Sequence, residues 1–272
     1  MFSVIIAAHD HAAVIERCLR SILDGAEPGE LEVIVVAHGC HDDTAALARA
    51  FGEPVRVIEL PRSSKAEALN RGDEHAQSFP RMYVDPEIVV GIEALRKVAG
   101  LLGEDSPTLA AAPEPDFDYS GRSPLVRSFY KVWSSLPYFT ENLVGAGFYA
   151  MSRRGRERFG KFPELVGEDA FVRLTVGPHE RRSARGTFFR ITPPRGLRGV
   201  IERMTKVRAG KAEVHAKFPE LLGNETTRPR RSLRIIAERP DLWVHAPVYL
   251  GVMGLATLGA RLRRGGRGER TG

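Results

Sequence analysis

Two carboxylates separated by one residue, Asp85 and Glu87, follow an apolar run in the stretch "MYVDPEIVV". On an extended chain, side chains two positions apart share a face, and Pro86 favours an extended conformation at the residue before it. Like charges on one face repel each other unless a cation, a basic group or water lies between them, and carboxylate oxygens are ligands for hard divalent cations. The pattern is therefore consistent with a divalent metal site, and a solvated turn is the alternative.

The elements around this pair predict an α/β fold. Apolar segments that read as strands alternate with amphipathic segments that read as helices, and strands that are apolar on both faces are typical of a parallel sheet covered on both sides. The predicted strands cover residues 2–8, 31–37, 55–60 and 81–85, and the predicted helices cover 11–23, 42–51 and 64–76. The polar clusters "HDH", "HGCHDD", "PRSSK" and "DPE" follow these strands and are expected to line one common rim, where ligands of such sheets bind.

The second half of the chain is less regular. Further elements are predicted as a helix over 123–136, a strand over 145–152, a helix that begins near 167, a strand over 187–194 and a basic helix over 196–210. Residues 242–260 are the most apolar stretch, about long enough to span a bilayer but interrupted by His245, Pro247 and glycines. We expect a helix that packs on the protein or lies in the lipid headgroup region, with the arginines of residues 261–270 toward anionic lipid; a true span is the third alternative.

Charge is unevenly placed along the chain. Residues 1–180 carry 19 Lys and Arg against 27 Asp and Glu, whereas residues 181–272 carry 21 against 7. The basic C-terminal third favours an anionic partner such as a membrane surface or a phosphorylated substrate, and the lack of interleaved aromatic residues argues against nucleic acid. The two cysteines, Cys18 and Cys40, and the lack of an export signal at the start of the sequence predict a cytoplasmic protein, with peripheral attachment to the inner face of the cell membrane as an option.

Several nucleotide-binding folds are excluded by their glycine patterns. The turn after the first strand, "IIAAHDHAAV", contains no glycine, which argues against a dinucleotide-binding fold, a methyltransferase and a sugar nucleotidyltransferase. The chain also lacks the G-x-x-x-x-G-K-[ST] pattern of a P-loop. The remaining class of protein is one in which a parallel sheet binds a nucleotide through side chains at its strand ends. In such a protein a metal ion held by carboxylates binds the diphosphate.

Five segments, taken in order and spacing, resemble the inverting glycosyltransferases of family two, which have the GT-A fold. They are "SVIIAAHDHAAVIERCLRSIL", "VIVVAHGCHDDTAALA", "SKAEALNRG", "MYVDPEIVV" and "GAGFYAMSRRGRERFGKFPELVGEDAFVRL". The resemblance covers about residues 2–210. It implies a GT-A domain over 1–210, with a nucleotide-binding half (1–90) and an acceptor-side half (91–210), followed by a basic helical extension over 211–272.

The resemblance assigns roles to the two acidic pairs. Asp85 and Glu87 match the family's D-x-D motif, which holds Mg²⁺ or Mn²⁺ on the donor diphosphate, although Glu87 departs from the usual second aspartate. Asp169, in "GEDAF", matches the catalytic base, and the like charge of Glu168 beside it would make it a stronger base. The alternative is that Glu168 and Asp169 are only favourable residues for a helix start.

The resemblance also implies a nucleotide pocket at the strand ends. Its predicted residues are Ala8, His9, Asp10, His38, Lys65 and Asn70, together with Asp85. Ala7 and His38 depart from the proline and the base-reading aspartate common at these positions, which leaves the base open. The alternative for Lys65 is an ordinary exposed lysine on the surface of a helix. The alternative for Asn70 is a residue that makes a local hydrogen bond near the helix end. A zinc site among the histidines and Cys40 of these two loops is the less favoured alternative, because their spacing matches no structural zinc pattern.

The chain shows no Q-x-x-R-W motif of the processive members. We therefore expect a nonprocessive, inverting, metal-dependent hexosyltransferase that moves a sugar from a nucleotide diphosphate donor to a hydroxyl acceptor, such as a lipid-linked or cell-envelope precursor. Two alternatives from other classes stay open. One is a noncatalytic binder of sugar nucleotides, and the other is a membrane-recruited scaffold that depends on residues 242–270.

Overall fold

The computed structural model describes residues 1–226 and 229–268. Within these ranges eight strands form one sheet. The strands are β1 (Phe2–Ala8), β2 (Leu31–His38), β3 (Val55–Leu60), β4 (Arg81–Val84), β5 (Val89–Val90), β6 (Ala110–Phe117), β7 (Phe148–Met151) and β8 (Arg181–Ile191). The helices are α1 (Ile15–Leu23), α2 (Thr44–Arg49), α3 (Lys65–His75), α4 (Ile92–Leu101), α5 (Pro124–Trp133), α6 (Pro137–Thr140), α7 (Arg153–Arg156), α8 (Glu168–Thr175), α9 (Leu197–Lys217), α10 (Pro229–Glu238) and α11 (Ala246–Gly268).

The sheet has the order β3-β2-β1-β4-β7-β6-β8-β5. Strands β3, β2, β1 and β4 run parallel, with β1 and β2 paired from Phe2 opposite Leu31 to Ala8 opposite Ala37. All seven residues of β1 are buried, as expected for a strand covered on both faces. Strand β7 pairs antiparallel with β4, and β5 pairs antiparallel with β8. The predicted α/β fold with a parallel central sheet is confirmed.

Some helices and strands were not predicted from the sequence, or have different bounds from those predicted. Helix α4 and strand β6 were not predicted, because β6 ("AAAPEPDF") consists of small residues, prolines and acids rather than an alternating apolar pattern. Strand β8 begins at Arg181, six residues before the predicted start. Helix α9 continues through residue 210 to Lys217 because its buried positions, Val200, Met204 and Val214, keep helical spacing.

The chain divides into two compact units. Unit 1 comprises Met1–Asp116, Asn142–Glu164 and Thr175–Ile191, and it contains the sheet. Unit 2 comprises Phe117–Glu141, Leu165–Leu174 and Thr192–Gly272. It is helical, and its core joins Phe129 and Tyr130 of α5, Met204 of α9 and Tyr249 of α11. The boundaries predicted at residues 90 and 210 stay a prediction.

Helix α11 covers most of the apolar stretch predicted at 242–260. It buries Tyr249, Val252 and Ala256 in the core of unit 2. None of the helices within 1–226 and 229–268 is both long and apolar enough to cross a membrane. Of the arginine-rich segment predicted to face lipid, residues 269 and 270 lie outside the described residues.

Candidate active site

The first predicted metal residue, Asp85, lies directly after β4. Its Oδ1 atom accepts a hydrogen bond from Lys65 Nζ at 2.7 Å, and Lys65 is the first residue of α3. Its backbone N–H donates to the carbonyl oxygen of Gly147 at 2.8 Å, next to the pairing of Val84 with Phe148. Strand pairing and the lysine therefore fix Asp85 at the carboxyl end of the parallel part of the sheet.

The second predicted metal residue, Glu87, belongs to a turn. The N–H of Ile88 donates to the carbonyl oxygen of Asp85 at 3.0 Å, so the extended conformation predicted for residues 85–87 is wrong. The turn connects β4 to β5, the strand that pairs antiparallel with β8. The Oε2 atom of Glu87 lies 3.8 Å from His11 Nε2. The side chains of Asp85 and Glu87 are 31% and 43% exposed, so solvent can reach both carboxylates.

The residues at this turn fit a hard divalent cation. Two accessible carboxylates supply the oxygen ligands that Mg²⁺ and Mn²⁺ prefer. Gly147, whose φ is +99°, lies against the turn, and a Cβ atom there would lie 2.8 Å from Ile88 Cδ1 and 3.4 Å from Asp85 Oδ2. Only glycine therefore fits at residue 147, and its missing side chain leaves space beside the Asp85 carboxylate. The "GAG" that precedes β7 was the sequence signal for this position.

The predicted nucleotide residues of the first two strands lie together. His9 Nδ1 is 2.9 Å from the carbonyl oxygen of His38, and the two imidazole rings stack with centroids 5.5 Å apart. His38 is 5% exposed, and its Nδ1 has no hydrogen-bond partner among the described residues. Burial lowers the pKa of His38 to about 4, so this imidazole is neutral at pH 7. A buried, neutral nitrogen at this rim can exchange a hydrogen bond with a bound molecule.

The other predicted pocket residues of unit 1 are also buried or make hydrogen bonds that stabilise the fold. Ala8 is fully buried at the end of β1, and Asp10, with φ of +54°, accepts a hydrogen bond from the N–H of His41 at 2.7 Å. The Asn70 amide binds the backbone of Phe162 at both ends, with distances of 2.7 and 3.1 Å. Asn70 therefore joins α3 to the segment after α7, a long-range contact that its position in the sequence did not reveal.

The predicted base, Asp169, belongs to unit 2. It is the second residue of α8, and its Oδ1 atom accepts a hydrogen bond from the N–H of Ala170 at 2.8 Å. Glu168, the first residue of the helix, is buried at 9% exposure. Gly167 precedes them, and a Cβ atom there would lie 3.0 Å from the backbone of Gly210 in α9. The helix start is therefore packed directly against the α9 backbone.

Two carboxylates that sequence reasoning missed, one buried and one mostly buried, support these elements. Asp73 of α3 binds two residues of β4, Arg81 at 2.7 Å and the Tyr83 hydroxyl at 2.7 Å. Glu225 binds Arg173 of α8 at 2.7 Å. No local sequence pattern marks either carboxylate, because their partners include residues from distant parts of the chain. Only the three-dimensional structure identifies them.

The chain resembles proteins of known family. The family model described as "Glycosyl transferase family 2" matches residues 3–152, more than half of the chain, and the chain belongs to this family. The predicted family is confirmed. Among curated proteins, none matches the chain.

Two solved structures are similar over most of the chain. A mannosyltransferase from Pyrobaculum calidifontis in complex with GDP-Man and Mn²⁺ has a TM-score of 0.61 and 19% identity, and the match covers 98% of this chain and 79% of that one. Glucosyl-3-phosphoglycerate synthase from Mycobacterium tuberculosis, in complex with Mn²⁺, UDP-Glc and phosphoglyceric acid, has a TM-score of 0.55 and 22% identity, with coverages of 78% and 79%. These similarities confirm the GT-A fold. The Mn²⁺ in both structures agrees with the predicted cofactor type, Mg²⁺ or Mn²⁺.

Proposed function

We propose that this protein is a nonprocessive, inverting glycosyltransferase that moves a hexose from a nucleotide diphosphate donor to a hydroxyl acceptor. The observation that carries the proposal is the Asp85 carboxylate at the end of β4, bound by Lys65 and set beside the glycine that leaves space next to it. In a family of glycosyltransferases, an acidic turn at this edge of the sheet is suited to a cation and a diphosphate.

In this proposal the rim of unit 1 binds the donor. His38 and His9 take the nucleoside, since their stacked rings offer an aromatic surface and His38 Nδ1 offers a buried, neutral hydrogen-bonding group. Lys65 supplies positive charge near the diphosphate. Asp85 and Glu87 hold Mg²⁺ or Mn²⁺, which when bound neutralises charge on the diphosphate leaving group as a Lewis acid.

Asp169 is proposed as the general base on unit 2. It would accept the proton of the acceptor hydroxyl while that oxygen attacks the anomeric carbon from the face opposite the diphosphate, so the new bond has inverted configuration. Its place in the first turn of α8 supports the assignment, because the contact of Gly167 with α9 and the ion pair of Arg173 fix the helix that carries it.

The substitution Asp169→Asn tests this assignment. It keeps the shape of the side chain and removes the base, so we expect the turnover of a donor and acceptor pair to fall by about 10²–10⁴-fold, while donor affinity in the presence of Mn²⁺ is unchanged. Glu202→Gln, an exposed change on α9 whose carboxylate pairs with Arg198 on the same helix, is the matched control. Retained turnover in Asp169→Asn would remove Asp169 from the mechanism. If neither transfer nor metal-dependent donor hydrolysis is found in the wild-type protein, the noncatalytic binder is the better description.

We further propose that the acceptor is membrane-associated and that α11 contacts an anionic membrane surface. Its outward face is apolar, with Leu255, Leu258 and Leu262 exposed at 55%, 56% and 70%. These positions lie within one stripe of the helix, and the C-terminal third that carries it is strongly basic. Changing Leu255 and Leu258 together to Ser should reduce cosedimentation with phosphatidylglycerol vesicles, with phosphatidylcholine vesicles as the control. Equal cosedimentation of the wild-type protein and the double variant with phosphatidylglycerol vesicles would contradict the proposal that this face of α11 contacts the membrane.

A further inference from the structure

The loops after β1 and β2 bring together three different metal ligands. The ligand atoms of His9, Asp10 and Cys40 all lie within 4.8 Å of one another. This group combines a nitrogen, an oxygen and a sulfur, whereas the turn after β4 offers carboxylates. Nitrogen and sulfur ligands select zinc-type cations, while sites made of oxygen select Mg²⁺, Ca²⁺ or Mn²⁺.

The backbone already orients two of these ligands. His9 Nδ1 lies 2.9 Å from the carbonyl oxygen of His38, and a hydrogen bond donated there leaves Nε2 with its lone pair. That Nε2 atom lies 3.7 Å from Asp10 Oδ2. The other Asp10 oxygen, Oδ1, accepts from the N–H of His41. A metal-binding histidine usually donates its other ring N–H to a carbonyl or carboxylate group, which fixes the orientation of the imidazole. His9 has this arrangement.

The sulfur and a fourth donor lie on the second loop. Cys40 Sγ is 3.4 Å from the carbonyl oxygen of Ala8, which places the thiol at the end of β1 beside the other two ligands. His41 Nδ1 is 3.6 Å from Asp10 Oδ2, and its side chain is 85% exposed. His41 can therefore turn toward the group without leaving a packed position. The four side chains match the number of ligands in a tetrahedral zinc site.

We propose that His9, Asp10 and Cys40, with His41 as the fourth ligand, bind one zinc-type cation that ties the loop after β1 to the loop after β2. Binding converts the Cys40 thiol to a thiolate ligand and releases its proton to the buffer. The site is separate from the Mg²⁺ or Mn²⁺ site at Asp85 and Glu87, but it shares His9 with the proposed nucleoside pocket. Binding of the cation itself does not require the proposed transferase activity. A cation that binds only the folded state raises the apparent stability of the protein.

Titration of the full chain with Co²⁺ in place of Zn²⁺ tests the proposal without any substrate. We expect a thiolate-to-cobalt charge-transfer absorption that saturates at one equivalent and disappears when Zn²⁺ is added, together with a higher melting temperature in Zn²⁺. Cys40→Ser should lose the absorption. Cys18→Ser is the matched control and should retain it, because Cys18 is fully buried and burial raises the pKa of its thiol to about 12.

Two further variants separate this site from others. Asp10→Asn, which leaves the sulfur in place, should weaken Co²⁺ binding by about tenfold or more. The double change Asp85→Asn and Glu87→Gln should leave the absorption intact, even if it abolishes any response to Mn²⁺. Absence of the charge-transfer absorption from the wild-type protein, or its persistence in Cys40→Ser, would overturn the proposal.

Discussion

Each of the two units contains a carboxylate that is at most 11% exposed and lies between two cationic side chains, and the two clusters differ in what they support. In unit 1, Asp73 is 7% exposed and lies between Arg81 at 2.7 Å and Arg156 at 2.5 Å, with the Tyr83 hydroxyl as a third partner. In unit 2, Glu225 is 11% exposed and lies between Arg173 and Lys211, each at 2.7 Å. The first cluster is almost closed to water, whereas Lys211 in the second is 35% exposed.

The difference indicates how each unit positions its proposed reactive carboxylate. Arg81 and Tyr83 belong to β4, so the Asp73 cluster fixes the strand that ends at Asp85. Arg173 belongs to α8, one turn after Asp169, so the Glu225 cluster fixes a short helix from a loop near residue 225. The strand also has neighbours on both sides in the sheet, while the short helix has no such ladder of hydrogen bonds. We therefore expect the first cluster to act mainly on stability and the second to act on catalysis as well.

The largest effect is expected from Asp73→Asn. The amide keeps the shape but removes the charge between two guanidinium groups whose side chains are only 15% and 11% exposed. Breaking an ion pair of a buried carboxylate in this way costs about 3–5 kcal/mol of unfolding free energy. Urea denaturation of the wild-type and variant proteins measures the difference. Glu74→Gln is the matched control, since Glu74 is the neighbouring residue, is exposed and pairs with Arg71 at the surface, which is worth at most about 1 kcal/mol. A loss below about 1 kcal/mol in Asp73→Asn would show that the cluster does not stabilise unit 1.

A smaller loss of stability, with a change in turnover, is expected from Glu225→Gln. Water can solvate the Lys211 ammonium when its partner is neutralised, so we expect a cost of about 2–3 kcal/mol, below that of Asp73→Asn. Because Arg173 would no longer hold α8, the turnover number should fall while the affinity for donor and Mn²⁺ stays the same. Isothermal titration and initial rates separate the two quantities.

The matched control for this variant is Glu220→Gln, an exposed change in the 3-10 helix Pro219–Asn224. It should leave both stability and turnover unchanged. If Glu225→Gln lowers stability but leaves turnover intact, the cluster is only structural and does not position Asp169.

Local signals in the sequence predict part of this structure, and long-range contacts determine the rest. Strands β1 and β3 were predicted at their observed bounds, because apolar runs between polar turns are local signals. The polar strand ends, and with them His9 and His38, were predicted for the same reason. The Asp73 and Glu225 clusters were not predicted, since each joins residues that only folding brings together. Charged residues at these positions look like exposed helix and loop residues until their burial is known.

The turn at Asp85 shows a further limit. The spacing of Asp85 and Glu87 and the proline between them favour an extended chain, but the structure has a turn here, between the strand that pairs with β7 and the strand that pairs with β8. Tertiary structure overrides the local preference here. The glycine that packs against this turn, Gly147, comes from a segment about 60 residues further along the chain, so no local pattern could connect the two.

The smallest of these effects is expected from Tyr83→Phe, which removes one hydrogen bond from the Asp73 cluster and leaves both arginines in place. Burial, assisted by Asp73, raises the pKa of Tyr83 well above its usual value, so the hydroxyl is a neutral donor at pH 7 and its bond to the carboxylate at 2.7 Å is assisted by one charge. Such a bond contributes about 1–2 kcal/mol. Urea denaturation of Tyr83→Phe, Asp73→Asn and the double variant forms a thermodynamic cycle, in which the effect of Tyr83→Phe should shrink once Asp73 is neutral. Equal effects in both backgrounds would mean that the hydroxyl acts independently of the carboxylate, and the Asp73 cluster would then be a two-cation clamp like that of Glu225.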